Sequence, residues 1–159
     1  MLASKSNYNF ISAIILCTLL CAGLVTDTRA DVYKHPLKSL VESGKFSLEG
    51  LSDKPKVAVI FQPDCTWCEK QIGDLDKLQE RCNNQFETVI IGARGKRKAL
   101  KREVKRYRTN FPALEGDRRF LRQIDEIRAT PIILFFNNSG ELLGRNRGYL
   151  PKKTNAKSC

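Results

Sequence analysis

Apolar and polar residues follow two different spacings along the chain, and these spacings predict both strands and helices. Apolar runs without polar interruption are typical of buried strands, whereas apolar residues three or four positions apart are typical of helices that cover a core. The predicted helices are residues 31–44, 68–82, 96–108 and 117–127. The predicted strands are residues 57–61, 88–92, 113–114, 132–136 and 141–147, with residues 46–51 forming either a strand or a tight turn.

The order of these elements predicts an α/β fold with a mixed central sheet and helices on both faces. A helix separates the strand at 57–61 from the strand at 88–92, so these two strands should be parallel and joined by a right-handed crossover. The turn at 137–140 has the length of a hairpin loop, so the last two strands should be antiparallel. Residues 31–159 therefore form one domain.

The first 30 residues have the pattern of a secretory signal peptide. Residues 10–25 are almost continuously apolar, and Thr28-Arg29-Ala30 places small residues at both positions that direct cleavage. We therefore expect cleavage before Asp31 and a soluble protein in the periplasm or another exported location. An uncleaved membrane anchor is the alternative, although the apolar stretch is shorter than the roughly 20 residues of a typical membrane-spanning helix.

The net charge of the chain is +11, and much of it comes from one predicted helix. Between Arg94 and Arg108 there are nine basic residues and one acidic residue, Glu103, while Leu100, Val104 and Tyr107 are expected to face inward. This segment could dock onto an acidic protein or anionic lipid, or it could be a solvated helix face. A nucleic-acid partner is disfavoured, because exported proteins seldom meet nucleic acid and no recognition motif is present.

Cys65 and Cys68 stand where the predicted strand at 57–61 gives way to a helix. Two cysteines at this spacing in the first helical turn bring their sulfurs close enough to join, and the helix N-terminus stabilises a thiolate. By its position, Cys65 is expected to be the exposed nucleophile and Cys68 the resolving thiol. Trp67, between them, offers a flat apolar contact for a partner.

Less reactive interpretations of the cysteines remain open. The pair could be an inert structural disulfide. A zinc site is disfavoured, because Cys82 lies a whole helix away and His35 is the only histidine, so we expect no metal. Cys82 should be a small buried residue on its helix face, or else it pairs with Cys159 and pins the C-terminal tail to the domain.

Four segments taken in order resemble the thioredoxin superfamily, and within it the exported TlpA/ResA-like thiol-disulfide oxidoreductases. They are residues 46–55, residues 61–68 with the cysteine pair, residues 110–117, and Ala129-Thr130-Pro131 followed by Gly140 and Gly148. The resemblance spans residues 46–149 and implies a thioredoxin-like, three-layer α/β fold. It also implies a redox-active Cys65–Cys68 disulfide without any other cofactor.

The resemblance further implies a cis peptide bond between Thr130 and Pro131, placed beside the cysteine pair. Pro131 would then position the substrate, and Thr130 would lie in the substrate-binding surface together with Trp67. The sequence alone would not predict this geometry, because only about 5–6% of X-Pro bonds in folded proteins are cis.

The chain departs from the family at the positions that usually carry a proton acceptor. Val59 stands where thioredoxin has a buried acid, and Gln71 stands where the cytochrome-maturation subgroup often has a glutamate. Glu69 is therefore the candidate acceptor for the proton of Cys68. Few apolar residues follow Gly148, so the closing helix of the family is expected to be missing or very short.

Together these observations predict an enzyme that exchanges disulfides with cysteine-containing exported proteins, with reduction favoured over oxidation. It would need a membrane-bound or exported thiol-redox partner to supply electrons. The alternative is a non-catalytic thioredoxin-fold module that docks to an acidic partner or an anionic membrane through the basic helix at residues 94–108.

Overall fold

The computed structural model describes residues 32–124 and 127–151. The predicted signal peptide and Cys159 lie outside these residues. The strands are β1 (Leu37–Ser39), β2 (Lys45–Phe46), β3 (Lys56–Phe61), β4 (Glu87–Gly92), β5 (Ala113–Glu115), β6 (Ile132–Phe136) and β7 (Leu142–Arg147). The helices are α1 (Thr66–Arg81), α2 (Arg97–Tyr107) and α3 (Arg118–Gln123). Within the described residues, none of the helices has the length and hydropathy needed to span a membrane.

The seven strands form one mixed sheet in the order β2-β1-β5-β4-β3-β6-β7. At its centre, β3 pairs in parallel with β4, from Lys56 opposite Glu87 to Phe61 opposite Gly92, and antiparallel with β6. All six residues of β3 are buried, which explains why its sequence lacks polar alternation. The parallel β3–β4 pair and the antiparallel β6–β7 hairpin confirm the predicted topology.

Successive residues of the central strands face two separate cores, one on each side of the sheet. Ala58 and Ile60 belong to the core that α3 covers through Phe120, whereas Val59 and Phe61 belong to the core beneath α1 and α2. This alternation follows from the two-residue period of a strand. The mixed sheet with helices on both faces confirms the predicted α/β class.

The predicted helix at 31–44 is wrong. Residues 32–34 are helical, but β1 follows and pairs antiparallel with both β2 and β5. Pro36 lacks the N–H that a continuing helix requires, and Leu37 and Ser39 instead point inward on either side of exposed Lys38. The hydroxyl of Ser39 then accepts hydrogen bonds from the next turn, which leads to β2.

For residues 46–51, predicted as a strand or a tight turn, the structure shows mainly the turn, and the predicted helix at 117–127 is shorter than expected. Of residues 46–51, only Phe46 belongs to a strand, and the rest form a turn in which Ser47 Oγ accepts from the Gly50 N–H. Helix α3 ends at Gln123, before the predicted end at residue 127. Helix α1 closes as expected, because Asn83 and Asn84 take left-handed backbone angles after it.

Candidate active site

The two cysteines of the predicted site form a disulfide at the carboxyl end of β3, where helix α1 begins. Cys65 is the N-cap residue of α1, and its Sγ accepts a hydrogen bond from the Cys68 N–H at 3.1 Å. The cysteine sulfur thus takes the place of the oxygen that usually caps a helix. One sulfur of the pair is therefore held directly against the helix N-terminus, whose dipole favours negative charge.

The loop before β6 brings Thr130 and Pro131 to the same disulfide. The Thr130–Pro131 peptide bond is cis, the geometry that the resemblance implies. The Thr130 hydroxyl donates to Cys65 Sγ at 3.4 Å, and the Thr130 carbonyl oxygen lies 3.7 Å from the same sulfur. Cys65 and Thr130, which lie 65 positions apart in the sequence, are in this way in contact at the sulfur of Cys65.

The expectation of an exposed Cys65 is wrong. Only 8% of Cys65 is accessible to solvent, because the Thr130 loop packs against its sulfur, and Cys68 is fully buried. The small exposed part of Cys65 makes it the cysteine that a substrate can approach. Trp67 is 57% exposed next to the pair, where it is open to a partner.

Tyr149, an aromatic residue that was not predicted to belong to the site, lies beside Trp67. The two ring centroids are 5.4 Å apart, and the Lys70 ammonium lies 4.6 Å from the centroid of Tyr149. The Tyr149 hydroxyl donates to Asp74 Oδ2 at 2.7 Å, and this hydrogen bond raises the pKa of Tyr149. The sequence offered one signal for this placement, Gly148, whose positive φ turns the chain after β7.

The structure places the candidate proton acceptor, Glu69, on the exposed face of α1. Its Oε2 lies 3.6 Å from Arg106 Nε, and among the described contacts no hydrogen bond joins it to Cys68. Gln71, one turn below Cys68, is buried, and its Oε1 accepts the Leu150 N–H at 2.7 Å. A neutral amide therefore occupies the position where a glutamate often stands in the cytochrome-maturation subgroup.

The inward face of α2 differs from the predicted one at two positions. Glu103 is buried together with Leu100 and Tyr107, whereas Val104 is only half-buried. The buried carboxylate is paired with Arg106 at 2.7 Å. Burial raises the pKa of Tyr107, and the negative charge of Glu103 raises it further, so this phenol stays protonated against the ring of Phe61.

Cys82, at the end of α1, is 3% exposed and takes part in a disulfide bond whose partner lies outside the described residues. It is thus buried as expected, but it is not a free thiol. Its predicted partner, Cys159, also lies outside the described part of the chain. Within that part, no group of three or more potential metal ligands occurs.

The outer face of α2 borders a groove of about 1010 Å³, which we name the basic groove. Its apolar lining is formed by Leu40, Val41 and Val104. Its polar lining is Arg97, Lys98, Lys101, Arg102, Lys105, Arg108 and Thr109. Arg97 is paired with Glu115, whereas the other lining cations form no ion pair within the described residues.

Three solved structures illustrate what this fold resembles. A secreted Mycobacterium tuberculosis disulfide oxidoreductase homologous to E. coli DsbE is 20% identical, with a TM-score of 0.59, 70% of this chain and 82% of that chain covered. StoA from Bacillus subtilis is 13% identical, with a TM-score of 0.58 and coverage of 72% and 87%. A thioredoxin family thiol:disulfide interchange protein from Chlorobium tepidum is 19% identical, with a TM-score of 0.62 and coverage of 72% and 83%.

At these identities the solved structures establish the fold alone. No relative among the curated proteins matches the chain. The family model of the thioredoxin-like domain, however, matches residues 49–158, which is more than half of the chain. The match includes Cys65, Cys68 and the Thr130–Pro131 loop, whose geometry is described above. The chain therefore belongs to the thioredoxin-like domain family.

Proposed function

We propose that this protein is an exported thiol-disulfide oxidoreductase that reduces disulfides in other exported proteins through Cys65 and Cys68. One observation carries the exchange chemistry of the proposal: the Cys68 N–H and the Thr130 hydroxyl both donate to the sulfur of Cys65, the cysteine with the larger exposure. The reductive direction is proposed from the resemblance to the TlpA/ResA-like branch. Donors to a sulfur stabilise its thiolate, and the thiolate is the nucleophile in disulfide exchange.

The reaction begins from the reduced pair. The Cys65 thiolate attacks one sulfur of a substrate disulfide, so that a mixed disulfide forms and the other substrate sulfur leaves as a thiolate that takes up a proton. Cys68 then loses its proton and attacks Cys65 Sγ, which releases the second substrate thiol. The substrate gains two electrons, and the Cys65–Cys68 disulfide that results must be reduced by an exported or membrane-bound dithiol.

The proton of Cys68 has no carboxylate partner within hydrogen-bond distance among the described residues. Glu69 faces Arg106, and Gln71 is neutral, so a water molecule entering with the substrate is the simplest acceptor. Glu69 is the carboxylate nearest to Cys68 in the sequence, and we propose that it accepts the proton of Cys68 through such a water. A Glu69→Gln variant should then slow release of the mixed disulfide more than its formation.

Two observations support export and the reductive direction. The apolar segment at residues 10–25 and the small residues at 28 and 30 are typical of a cleaved signal peptide. The resembled TlpA/ResA-like branch is mostly reductive, and one structural neighbour is described as a secreted disulfide oxidoreductase. We propose that Pro131 positions the substrate backbone, with Thr130 and Trp67 contacting it beside the reacting sulfur.

The test uses insulin as a disulfide substrate for the mature protein. Wild type should accelerate the reduction of insulin by dithiothreitol, and Cys65→Ser should abolish the acceleration. In a separate reaction without dithiothreitol, reduced Cys68→Ser should instead accumulate a one-to-one mixed disulfide between Cys65 and an insulin chain, because the active-site thiol that would release it is absent. If Cys68→Ser forms no adduct, or if Cys65→Ser stays active, the proposal is wrong.

The basic groove favours a second candidate function, a docking module for an acidic protein segment. The groove combines the apolar residues Leu40, Val41 and Val104 with cations of which only Arg97 has an ion pair among the described residues, so an amphipathic acidic segment matches its apolar and basic lining. A membrane surface fits less well, because a flat bilayer does not enter a groove. The two functions are compatible, since the groove and the disulfide are formed by different residues.

The probe for the groove is a fluorescent amphipathic peptide that carries Leu on one helical face and Glu on the other. Lys101→Glu/Lys105→Glu should weaken its binding at least tenfold, while the control Lys77→Glu/Arg81→Glu, with the same change of charge on exposed residues of α1, should weaken it less than twofold. Equal losses in the two variants, or stronger binding to phosphatidylglycerol vesicles than to the peptide, would contradict the docking candidate.

A further inference from the structure

Several side chains beside the disulfide take no part in the exchange steps. Trp67 and Tyr149 lie with their rings inclined by 35° to each other, and the Lys70 ammonium lies 5.3 Å and 4.6 Å from the two ring centroids. Leu150 follows directly in the chain. We name Trp67, Tyr149 and Leu150 the aromatic lip.

Three hydrogen bonds hold the chain after β7 in this position. The Gly148 N–H donates to the Pro131 carbonyl at 2.8 Å, and the Leu150 N–H donates to buried Gln71 Oε1 at 2.7 Å. Between them, the Tyr149 hydroxyl donates to Asp74 at 2.7 Å. One end of the segment is thereby tied to the cis-proline loop and the other to helix α1. These hydrogen bonds therefore fix the aromatic lip in place at the rim around Cys65.

The lip leaves large apolar side chains open to solvent at this rim. Trp67 is 57% exposed and Leu150 is 43% exposed, and they are two of only four large apolar residues that are exposed within the described residues. The other two are Val41, which lies in the bend between β1 and β2, and Leu143, which lies in β7. Exposed tryptophan and tyrosine beside a reactive group are typical of surfaces that bind another polypeptide.

We propose that the aromatic lip selects substrates in which a bulky apolar side chain, above all an aromatic one, stands next to the disulfide-bonded cysteine. This inference rests on the proposed function and specifies its substrate class. A substrate ring can pack on Trp67 and Leu150 while its neighbouring sulfur reaches Cys65. The Lys70 ammonium, already in contact with both rings, disfavours a basic side chain at the same place.

The probes are three short peptides whose single cysteine is joined to glutathione by a disulfide, with Phe, Ser or Lys next to that cysteine. Reduced mature protein is mixed with each peptide, the reaction is quenched with acid, and the released thiol is quantified by mass spectrometry. For wild type, we expect the second-order rate constant to be about tenfold higher with Phe than with Ser, and lowest with Lys.

The variants Trp67→Ala and Tyr149→Ala should each reduce the Phe-to-Ser ratio towards one. The ratio is the readout because it cancels any change in the amount of folded or reactive protein. The matched control is Leu143→Ala, which removes another exposed apolar side chain, from β7, and should leave the ratio unchanged. Tyr149→Phe keeps the ring and should retain most of the preference.

The outcomes separate this inference from the proposed function. If wild type reduces all three peptides at equal rates, or if both alanine variants keep the wild-type ratio, the inference is overturned while the oxidoreductase function stands. If wild type reduces none of the peptides and no glutathione disulfide, the proposed function itself fails. A Phe preference that both alanine variants lose and Leu143→Ala retains supports the inference.

Discussion

At the scale of single residues, the chemistry depends on what contacts Cys65 Sγ. The Cys68 N–H belongs to the helix backbone and is present in any sequence that forms this helix. The Thr130 hydroxyl, by contrast, is a side-chain donor that a single substitution can remove. The two donors together favour the thiolate of the reduced state, and a stabilised reduced state makes a disulfide more oxidising.

Replacing Thr130 by Val removes the hydroxyl but keeps the branched shape of the side chain. We predict that Thr130→Val makes the reduction potential of the Cys65–Cys68 pair more negative by about 10–30 mV, because one hydrogen bond contributes roughly 0.5–1.5 kcal/mol and about 30 mV corresponds to 1.4 kcal/mol. The reduction potential of each protein is measured by equilibration with dithiothreitol buffers. Thr109→Val, on the basic groove, is the control and should not shift the potential; a positive shift in Thr130→Val would refute the role of the hydroxyl.

At the scale of elements, Asp117 joins the N-terminal segment to helix α3. Its Oδ1 accepts the Phe120 N–H as the helix N-cap, and its Oδ2 lies 2.8 Å from His35 Nε2. Burial raises the pKa of Asp117, but the hydrogen bonds from Phe120 and His35 outweigh burial and lower it overall. A carboxyl whose pKa is lowered on folding stabilises the fold above its unfolded pKa, and the stabilisation is lost as the pH falls through the folded value.

We predict that Asp117→Ala lowers the free energy of unfolding by about 1 kcal/mol at pH 6, because it removes the N-cap. Asp117→Asn keeps a capping oxygen and should lose less. The difference in urea stability between wild type and Asp117→Asn should be fully present above the unfolded pKa of an aspartate, about 3.9, and should shrink as the pH falls through the lower folded pKa. A difference that grows as the pH falls would contradict this assignment.

The central elements could be predicted from the sequence, because each carries one dominant signal. β3, β4 and β6 contain the uninterrupted apolar runs 57–61, 89–91 and 132–136, and α1 has an apolar face that ends at two asparagines. The segment at residues 31–44 could not be predicted, because Leu37, Leu40 and Val41 fit a helical spacing. Residues 37–39 form a strand because they pair with β5, a contact between residues far apart in the sequence.

At the scale of the whole molecule, the number of cysteines limits which disulfide can attach the C-terminal tail to the domain. Cleavage before Asp31 would leave Cys159 as the only cysteine available to Cys82, which is disulfide-bonded. We predict that the oxidised mature protein has no free thiol under denaturing conditions and that Cys159→Ser exposes one, at Cys82. Loss of a loop-closing disulfide should lower the free energy of unfolding by about 2–4 kcal/mol. One free thiol in the mature wild type would contradict this pairing.

The active site could be predicted only in part. The Cys65–Cys68 pair and the Thr130–Pro131 loop are marked by local motifs, and the structure joins them. Tyr149 was missed because its place depends on hydrogen bonds to Pro131, Gln71 and Asp74 that no local pattern encodes.

Two charged side chains are buried, which their residue type alone would not predict. Lys56 is buried at the start of β3, where its ammonium donates to the carbonyls of Ser52 and Lys54. Glu103 faces inward on α2 with Arg106 as its partner. Charged side chains are rarely buried unless they find such partners, and the partners are known only once the chain is folded.

The reduction potential of the Cys65–Cys68 pair in the mature protein tests the central claim most directly. The protein is equilibrated with a series of glutathione or dithiothreitol buffers, and the fractions of dithiol and disulfide are determined by alkylation and mass spectrometry. A reductant of exported proteins requires a value near the thioredoxin end of the scale, about −270 mV. A value near about −120 mV would show that the pair donates disulfides instead, and it would contradict the reductive function proposed for this protein.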